Sequence, residues 1–347
     1  MDWDQVPQVK VEPDFNNLLA VLRRERPNRP TLFEFALNER LFTRVAPEIP
    51  VGTDAFSALK RKVTVFSRLG YDYATMLVPD FSFSEGLVVR HPGRTVSLNE
   101  GSVIHTRADF ESFPFPDPDQ ANYAVLEQIE PELPDGFRLI LTTPDGILEN
   151  VTDLVGYEAL CLMVLDDPAL AQAIFDEVGA RLLRYYERAL EYPSIGACIA
   201  NDDWGFKTHT MFAPRDMRRL VFPWYRRIVS LIHEAGRPAI LHSCGHFEKI
   251  IDEIVNDMRF DARHSYEDSI LPVEVAYARY GSRIAILGGI DVDFVCRSSP
   301  QEVYRRSKAM LARTNSRGYA LGTGNSVPDY VPDANYFAMI RAALEER

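Results

Sequence analysis

Arg237-Pro-Ala-Ile-Leu-His-Ser-Cys-Gly-His-Phe247 is the stretch on which the reading of this 347-residue chain turns. After Gly236, residues 238–241 form a short apolar run of the kind that makes a strand buried on both faces. It runs straight into His242 and Cys244 before Gly245 stops it. Residues two apart on a strand share a face, so an imidazole and a thiol are aimed at one point, a donor pair that zinc prefers. The pair taken alone equally describes a buried cysteine beside a hydrogen-bonded histidine. What separates the two readings is whether other apolar runs also end in polar residues.

They do. Towards the C-terminus, short apolar runs lie at 260–263, 284–287 and 319–321; towards the N-terminus they lie at 195–199, 137–141, 73–78 and 30–35. Amphipathic stretches separate them: 53–69, Asp117 to about 132, and a stretch from the Pro144-Asp-Gly turn to 191 with a break at Asp166-Asp167-Pro168. Further helices begin near Pro214, Phe247, Pro272, Pro300 and Asp333. Several carry proline in the first turn, where a missing N–H costs nothing. Eight strand–helix units predict an α/β chain folded as a single (β/α)8 TIM barrel over 1–347, with residues 1–28 as an N-terminal extension. An open doubly wound sheet fits less well, because no Gly-x-Gly-x-x-Gly follows an early strand. Within residues 81–106, Gly86, Pro92-Gly93 and Gly101 punctuate β-rich pieces and predict an inserted β-hairpin.

The net charge of −12 argues against nucleic acid or an anionic membrane as a main partner, since both call for a basic face. Arg215, Arg218, Arg219, Arg226 and Arg227 cluster at helical spacing and read as a solvated face. Cys161, Cys198, Cys244 and Cys296 are widely spaced, and no basic-then-apolar leader opens the chain, so reduced thiols in a cytoplasm are expected. No apolar run approaches the roughly 18 residues of a membrane span.

In a barrel, the strand C-termini face one mouth, where such folds keep their chemistry. The residues predicted there are Glu34, Asp80, Thr142 and Thr143, Asn201 to Asp203, His242 and Cys244, His264 and Glu267, Asp291, Thr323 and Asn325. Glu34, Asp80, Asp202 and His264 are the candidates for catalysis, and Asn201, Asp203, Asp291 and Asn325 those for substrate binding. Helix caps occupy the same positions, so Asp291 and Thr323 read equally as caps, and Asp202 and Asp203 as either a proton-sharing pair or a turn.

Four segments carry a family resemblance from about Arg29 onwards. They are Ile240-Leu-His-Ser-Cys-Gly-His246, Ala285-Ile-Leu-Gly-Gly-Ile-Asp-Val-Asp293, Asn201-Asp-Asp-Trp-Gly205 followed by Phe222-Pro-Trp-Tyr225, and Gly322-Thr-Gly-Asn-Ser-Val327. Together they resemble the uroporphyrinogen decarboxylase superfamily. The resemblance implies a (β/α)8 barrel of one of two kinds, a cofactor-free decarboxylase or a cobalamin-dependent methyltransferase. The decarboxylase branch carries a Met-Arg-Gln-Ala-Gly-Arg segment after its first strand, whose guanidiniums hold carboxylates. Here Leu32-Phe-Glu-Phe-Ala-Leu-Asn-Glu-Arg40 puts Glu34 in that place with only Arg40 nearby, while Asp80 matches that branch's catalytic Asp.

The methyltransferase branch carries His-x-Cys as zinc ligands, which maps onto His242 and Cys244. Its further Cys after the last strand is missing from Gly322-Thr-Gly-Asn325. Glu34, Glu267, His264 and His246 could substitute, with Glu34 and Glu267 better placed and Glu267 taken as the third ligand. The resemblance thus implies a zinc-assisted methyltransferase moving a methyl group from a small methoxylated or methylated substrate to a corrinoid on a partner protein. The metal would serve as Lewis acid. No Asp-x-His-x-x-Gly segment marks a corrinoid domain in this chain, so the corrinoid belongs to a partner. A homodimer is compatible with such a chain. The alternatives are a decarboxylase acting through Asp80 and a non-catalytic binding barrel.

Overall fold

The computed structural model describes residues 2–8, 10–83, 97–99 and 101–346. Seven parallel strands, β1 (Tyr73–Leu77), β2 (Arg138–Thr142), β3 (Ile195–Asn201), β4 (Ala239–His242), β5 (Ala262–His264), β6 (Ala285–Leu287) and β7 (Tyr319–Ala320), pair in chain order. Every residue of β3 and β4 is buried, as expected of strands covered by barrel interior on one face and helices on the other. Parallel neighbours require crossovers, and helices such as Ile147–Val155, Pro168–Ala189, Phe222–Glu234 and Pro300–Thr314 supply them.

The eighth apolar run, residues 30–35, closes the barrel without becoming a regular strand. On one side it makes ladder bonds to the end of β7: Leu321 N donates to Thr31 O at 2.8 Å and Phe33 N to Leu321 O at 2.8 Å. On the β1 side, side chains replace the ladder. The Tyr73 hydroxyl accepts from Glu34 N at 2.7 Å and donates to Glu34 O at 2.8 Å, and Thr75 Oγ1 donates to Phe35 O at 2.9 Å. The peptide N–H and C=O of Glu34 and the C=O of Phe35 are thus paired by side chains of β1 in place of ladder bonds. The expectation of eight strands is corrected to seven plus this bridging segment.

Register places the polar strand ends in one row. Asn201 pairs with His242, and His242 pairs with His264.

Two other expectations need correction. The stretch from Asp117 to 132 is split into 3-10 turns Pro118–Gln120 and Glu130–Glu132 around a short helix Ala124–Ile129, with Pro131 unable to continue a helix. The stretch after the Pro144 turn breaks additionally at Gly156, whose φ of +84° only glycine adopts cheaply. The helix expected from near Phe247 is present in irregular form over 248–257, the 3-10 turn Glu248–Ile250 running through residues 251–252 into the π turn Glu253–Asp257. The predicted hairpin within 81–106 falls largely on residues 84–96 and 100, outside the described residues. Its described neighbours at 97–99 and 101–106 carry no strand.

The N-terminal extension holds the helix Phe15–Leu22, capped by Asp14 and tied beneath the barrel by Phe15 N to Gly136 O at 2.9 Å. All four cysteines are unpaired. Among the described residues, no helix is long and apolar enough to cross a membrane.

Candidate active site at the barrel mouth

His242 and His264 end adjacent strands and point to the same side, so their rings meet. The two Nδ1 atoms lie 2.7 Å apart, and His264 Nε2 lies 3.1 Å from Thr323 O. A carbonyl oxygen only accepts, so His264 Nε2 carries the proton. In a neutral ring its Nδ1 must then accept, and His242 Nδ1 donates to it. That assignment leaves His242 Nε2 with a free lone pair. The His242 ring is held flat against Phe35, with centroids 4.2 Å apart.

Burial pushes His264 down to about 4. It pushes His242 well below the usual histidine value, with the charges of His264 and Arg263 adding to the effect. Both rings are therefore neutral near pH 7, as the proton count requires. Gly288 makes the contact geometrically feasible: a Cβ there would stand 2.2 Å from Thr323 O and 3.0 Å from His264 Nε2.

Thr323 also clamps Glu34, which is wholly buried. Thr323 N donates to Glu34 Oε1 at 2.8 Å, and Thr323 Oγ1 lies 2.6 Å from Glu34 Oε2 and 2.5 Å from Asn325 O. One hydroxyl proton cannot serve two acceptors. Asn325 O can only accept, so the Thr323 proton goes there and the proton between Thr323 and Glu34 comes from Glu34 itself. The carboxyl is accordingly a neutral acid. Burial raises it to about 8, against the opposing bonds from Thr323.

Cys244 follows β4, and its Sγ receives Asn325 Nδ2 at 3.3 Å and Ser265 Oγ at 3.8 Å. Its backbone N donates to Asp203 Oδ1 at 3.0 Å. Burial, reinforced by the Asp203 carboxylate, pushes the thiol up to about 12. Cys244 is thus a protonated thiol in this setting.

Other predicted residues serve the scaffold. Asp202 Oδ2 accepts from Leu148 N at 3.0 Å, Trp204 Nε1 at 2.8 Å and Tyr225 OH at 2.9 Å, and Oδ1 accepts from Glu149 N at 2.9 Å. It caps the helix Ile147–Val155 from a distant strand end, pressed so close that a Cβ on Gly146 would stand 2.1 Å from Asp202 Cβ. These bonds make it a capping residue. Asn201 is taken up by Thr143, accepting from its N and Oγ1 at 3.1 Å and donating to its O at 3.2 Å. Asp291 caps the helix Val292–Arg297 through Phe294 N and also accepts from Asp268 N, each at 2.8 Å. Asp80 is exposed in a left-handed turn just past β1, with φ +62°, and no hydrogen bond joins it to the histidine pair.

An open cleft of about 1230 Å³ adjoins this group through Tyr266 and Asn325. Its acids are Glu267, Asp268, Asp291 and Asp293 and its bases Lys207 and Arg297, with Arg297 bonded to Asp293. Among the described residues, no three His, Cys, Asp or Glu side chains are disposed to hold a metal ion. The three-ligand zinc set of His242, Cys244 and Glu267 is therefore not assembled in this arrangement.

Sequence reasoning passed over Phe35 and Tyr73, which orient the site through ring stacking and a peptide-bonded hydroxyl. It treated Thr323 as a place-holder for a missing cysteine. The signal for Thr323 was its position after β7, facing Glu34 across the barrel seam.

Fold and site together define a (β/α)8-type barrel with its reactive side chains gathered at the strand C-termini. The chain belongs to the uroporphyrinogen decarboxylase (URO-D) family, whose model matches residues 83–345. It is 25% identical over 298 residues to a uroporphyrinogen decarboxylase of Myxococcus xanthus (strain DK1622), covering 80% of each chain. Its fold is similar to that of a methyltransferase from Methanosarcina mazei, with a TM-score of 0.71 and 14% identity over 96% of this chain and 99% of that one. Members of the superfamily are enzymes, decarboxylases or methyltransferases.

Proposed function

We propose that the chain is a methyltransferase that takes a methyl group from a small cationic or uncharged methylated substrate and delivers it to a corrinoid on a partner protein. The charge of the cleft carries this reading: with Asp268 matched to Arg306 and Asp293 to Arg297, the carboxylates of Glu267 and Asp291 face, among the described residues, the single unpaired base Lys207. A polycarboxylate substrate needs a ring of free guanidiniums, and the described residues of this cleft supply none. The structural likeness to a methyltransferase agrees in kind, though at 14% identity it speaks for the fold.

A cationic N-methyl donor also fits the proton count. As the N–CH3 bond breaks, the nitrogen keeps the electron pair and leaves as a neutral amine, while the methyl carbon accepts a pair from the partner's reduced cobalt. No proton has to be supplied. His242 Nε2, a fixed acceptor at the mouth, would orient an N–H or O–H of the substrate, and the thiol of Cys244 would stand by as a weak donor. His242 and Cys244 are donor types that zinc takes, but a three-ligand set is not formed, and no step is drawn through a metal.

A second reading is decarboxylation, favoured by the M. xanthus relative and by Asp80 at the end of β1. One experiment separates the two. The protein is mixed with methylamines, methanol or methoxylated arenes and a reduced corrinoid protein while the cobalt spectrum is followed, and in parallel with uroporphyrinogen while carbon dioxide is collected. Methylated cobalt with a methylammonium donor supports the proposal; carbon dioxide without methyl transfer replaces it with the second reading.

A further inference from the structure

The opposite end of the barrel holds a second cavity, of about 630 Å³, where β2, β3, β4 and β5 begin. Four arginines line it, Arg23, Arg138, Arg237 and Arg259. This is a concentration of positive charge in a chain of net charge −12. Elsewhere the surface arginines are mostly matched to acids, as in Arg218 with Glu253, Arg226 with Asp257 and Arg184 with Asp119. Among the described residues, none of these four has a carboxylate partner.

The acid that lines the cavity, Asp261, is occupied elsewhere. Its Oδ2 bonds His233 Nε2 and Ala239 N, each at 2.8 Å. Arg237 is anchored by carbonyls, with Nε donating to Ile195 O at 2.7 Å and Nη1 to Ala235 O at 3.3 Å, which leaves Nη2 without a partner. Arg138 uses Nη1 on Phe137 O at 2.8 Å and keeps Nη2 and Nε free. Guanidiniums tethered in this way lose less freedom on meeting a ligand.

Two backbone features point the same way. Arg259 sits at φ +65°, a region that strains any residue with a Cβ and where a chain ending a helical turn usually places glycine. Gly236, at φ +73°, leaves open space, with nothing within 4 Å of where a Cβ would stand. Phe15, Leu19 and Leu22 of the N-terminal helix supply an apolar wall.

We infer that this cavity binds a small organic polyanion, a molecule bearing two or more phosphate or carboxylate groups, gripped by the planar forks of Arg138, Arg237 and Arg259 with its apolar part against the helix Phe15–Leu22. The site lies at the strand N-termini, away from the mouth, so its occupancy is independent of whichever reaction the mouth performs.

The test is calorimetry on the full chain at fixed ionic strength, with inorganic pyrophosphate and citrate as probes. Saturable one-site binding of either probe with a Kd below about 1 mM is expected. It should be weakened at least about tenfold in the double variant Arg138→Gln/Arg259→Gln and unchanged in the mouth variant His242→Ala. Both arginines are exposed, so the double variant should fold, and its melting temperature without ligand checks this. Pyrophosphate binding alone assigns a phosphate ligand, and citrate binding alone a carboxylate one. Absence of saturable binding for both probes, or binding untouched in the double variant, or binding lost in His242→Ala, overturns the inference.

Discussion

Two walls of the barrel mouth each bury a carboxyl group, and they treat it in opposite ways. After β3, Asp202 meets four donors, two of them N–H groups in the first turn of a helix; in the segment before β1, Glu34 meets Thr323 alone. Both are fully buried, and burial raises both, Asp202 to about 6 and Glu34 to about 8. At pH 7 the first is therefore ionised and the second is not. Donor number and a helix N-terminus, rather than depth, decide which buried acid keeps its charge. The charged one becomes scaffold, and the neutral one is left beside the reactive groups.

The largest effect should come from breaking the Asp202 wall. Asp202→Ala strands the N–H groups of Leu148 and Glu149, the Trp204 indole and the Tyr225 hydroxyl in the interior. A loss of about 3 to 5 kcal/mol is expected in denaturant unfolding. If that variant unfolds at the same midpoint as the parent, Asp202 is not the keystone the bond geometry makes it.

Glu34 gives the next effect, and its sign is opposite to that of an ordinary paired acid. Its folded value of about 8 exceeds its unfolded value of 4.5, so the native state holds a proton that the unfolded chain has lost. Stability should fall as pH rises from 4.5 to 8, by up to about 5 kcal/mol, with the full cost present above 8. His264, lowered from 6.5 to about 4, acts the other way: stability is lost as pH falls through that window, because the unfolded histidine binds a proton that the native one refuses. The lowered His242 adds to the same side. Maximum stability near pH 6.5 follows. Glu34→Gln, whose amide can donate to Thr323 Oγ1 and accept from Thr323 N, should flatten the alkaline limb while preserving the acid one. A slope that survives in this variant would mean Glu34 is ionised in the fold.

His242 tests the mouth itself. His242→Ala should lose about a hundredfold or more in turnover. Removing the stacking on Phe35 and the bond to His264 should cost only about 1 to 2 kcal/mol. His264→Asn, which can still donate to Thr323 O but cannot fix the tautomer of His242, should lower turnover less and shift its pH dependence. Equal loss in both variants would make the pair a structural unit with no division of roles.

The contrast between the walls also shows what could be read from residues alone. Apolar runs bounded by polar residues placed seven of the eight expected strands, because a strand buried on both faces has no alternation to hide it. The meeting of His242 and His264 followed from parallel register, since both stand last in adjacent strands. Which helix Asp202 caps was not legible, because that helix begins some fifty residues earlier in the chain and no local pattern announces a cap supplied from another strand. Glu34 was noticed, but not its charge, which depends on complete burial with Thr323, 289 residues away, as its hydrogen-bond partner. The same distance problem applies to Glu267 as a third ligand: adjacency to a strand end in sequence says nothing about where a carboxylate turns in the loop beyond it, and the described residues do not gather it with His242 and Cys244.

The smallest effect, and the sharpest for the chemistry, concerns Cys244. Burial, with the charge of Asp203 added, holds the thiol up at about 12, so at pH 8 almost no thiolate should be present. In a background lacking the more accessible Cys161 and Cys296, alkylation by iodoacetamide at pH 8 should run about a thousandfold slower than for a free thiol of value about 8.5. Asp203→Asn removes the adjacent negative charge and should speed the reaction severalfold. Asn325→Ala withdraws the amide that would stabilise a thiolate and should slow it further. Stability should change by less than about 1 kcal/mol in either variant, since both side chains are only partly buried. Rapid alkylation of the parent at pH 8, suppressed by added zinc, would show that the thiol ionises readily and that His242 and Cys244 do act together on a metal. That outcome would shift the mouth from a neutral-donor site towards the zinc-assisted chemistry that the family resemblance implied.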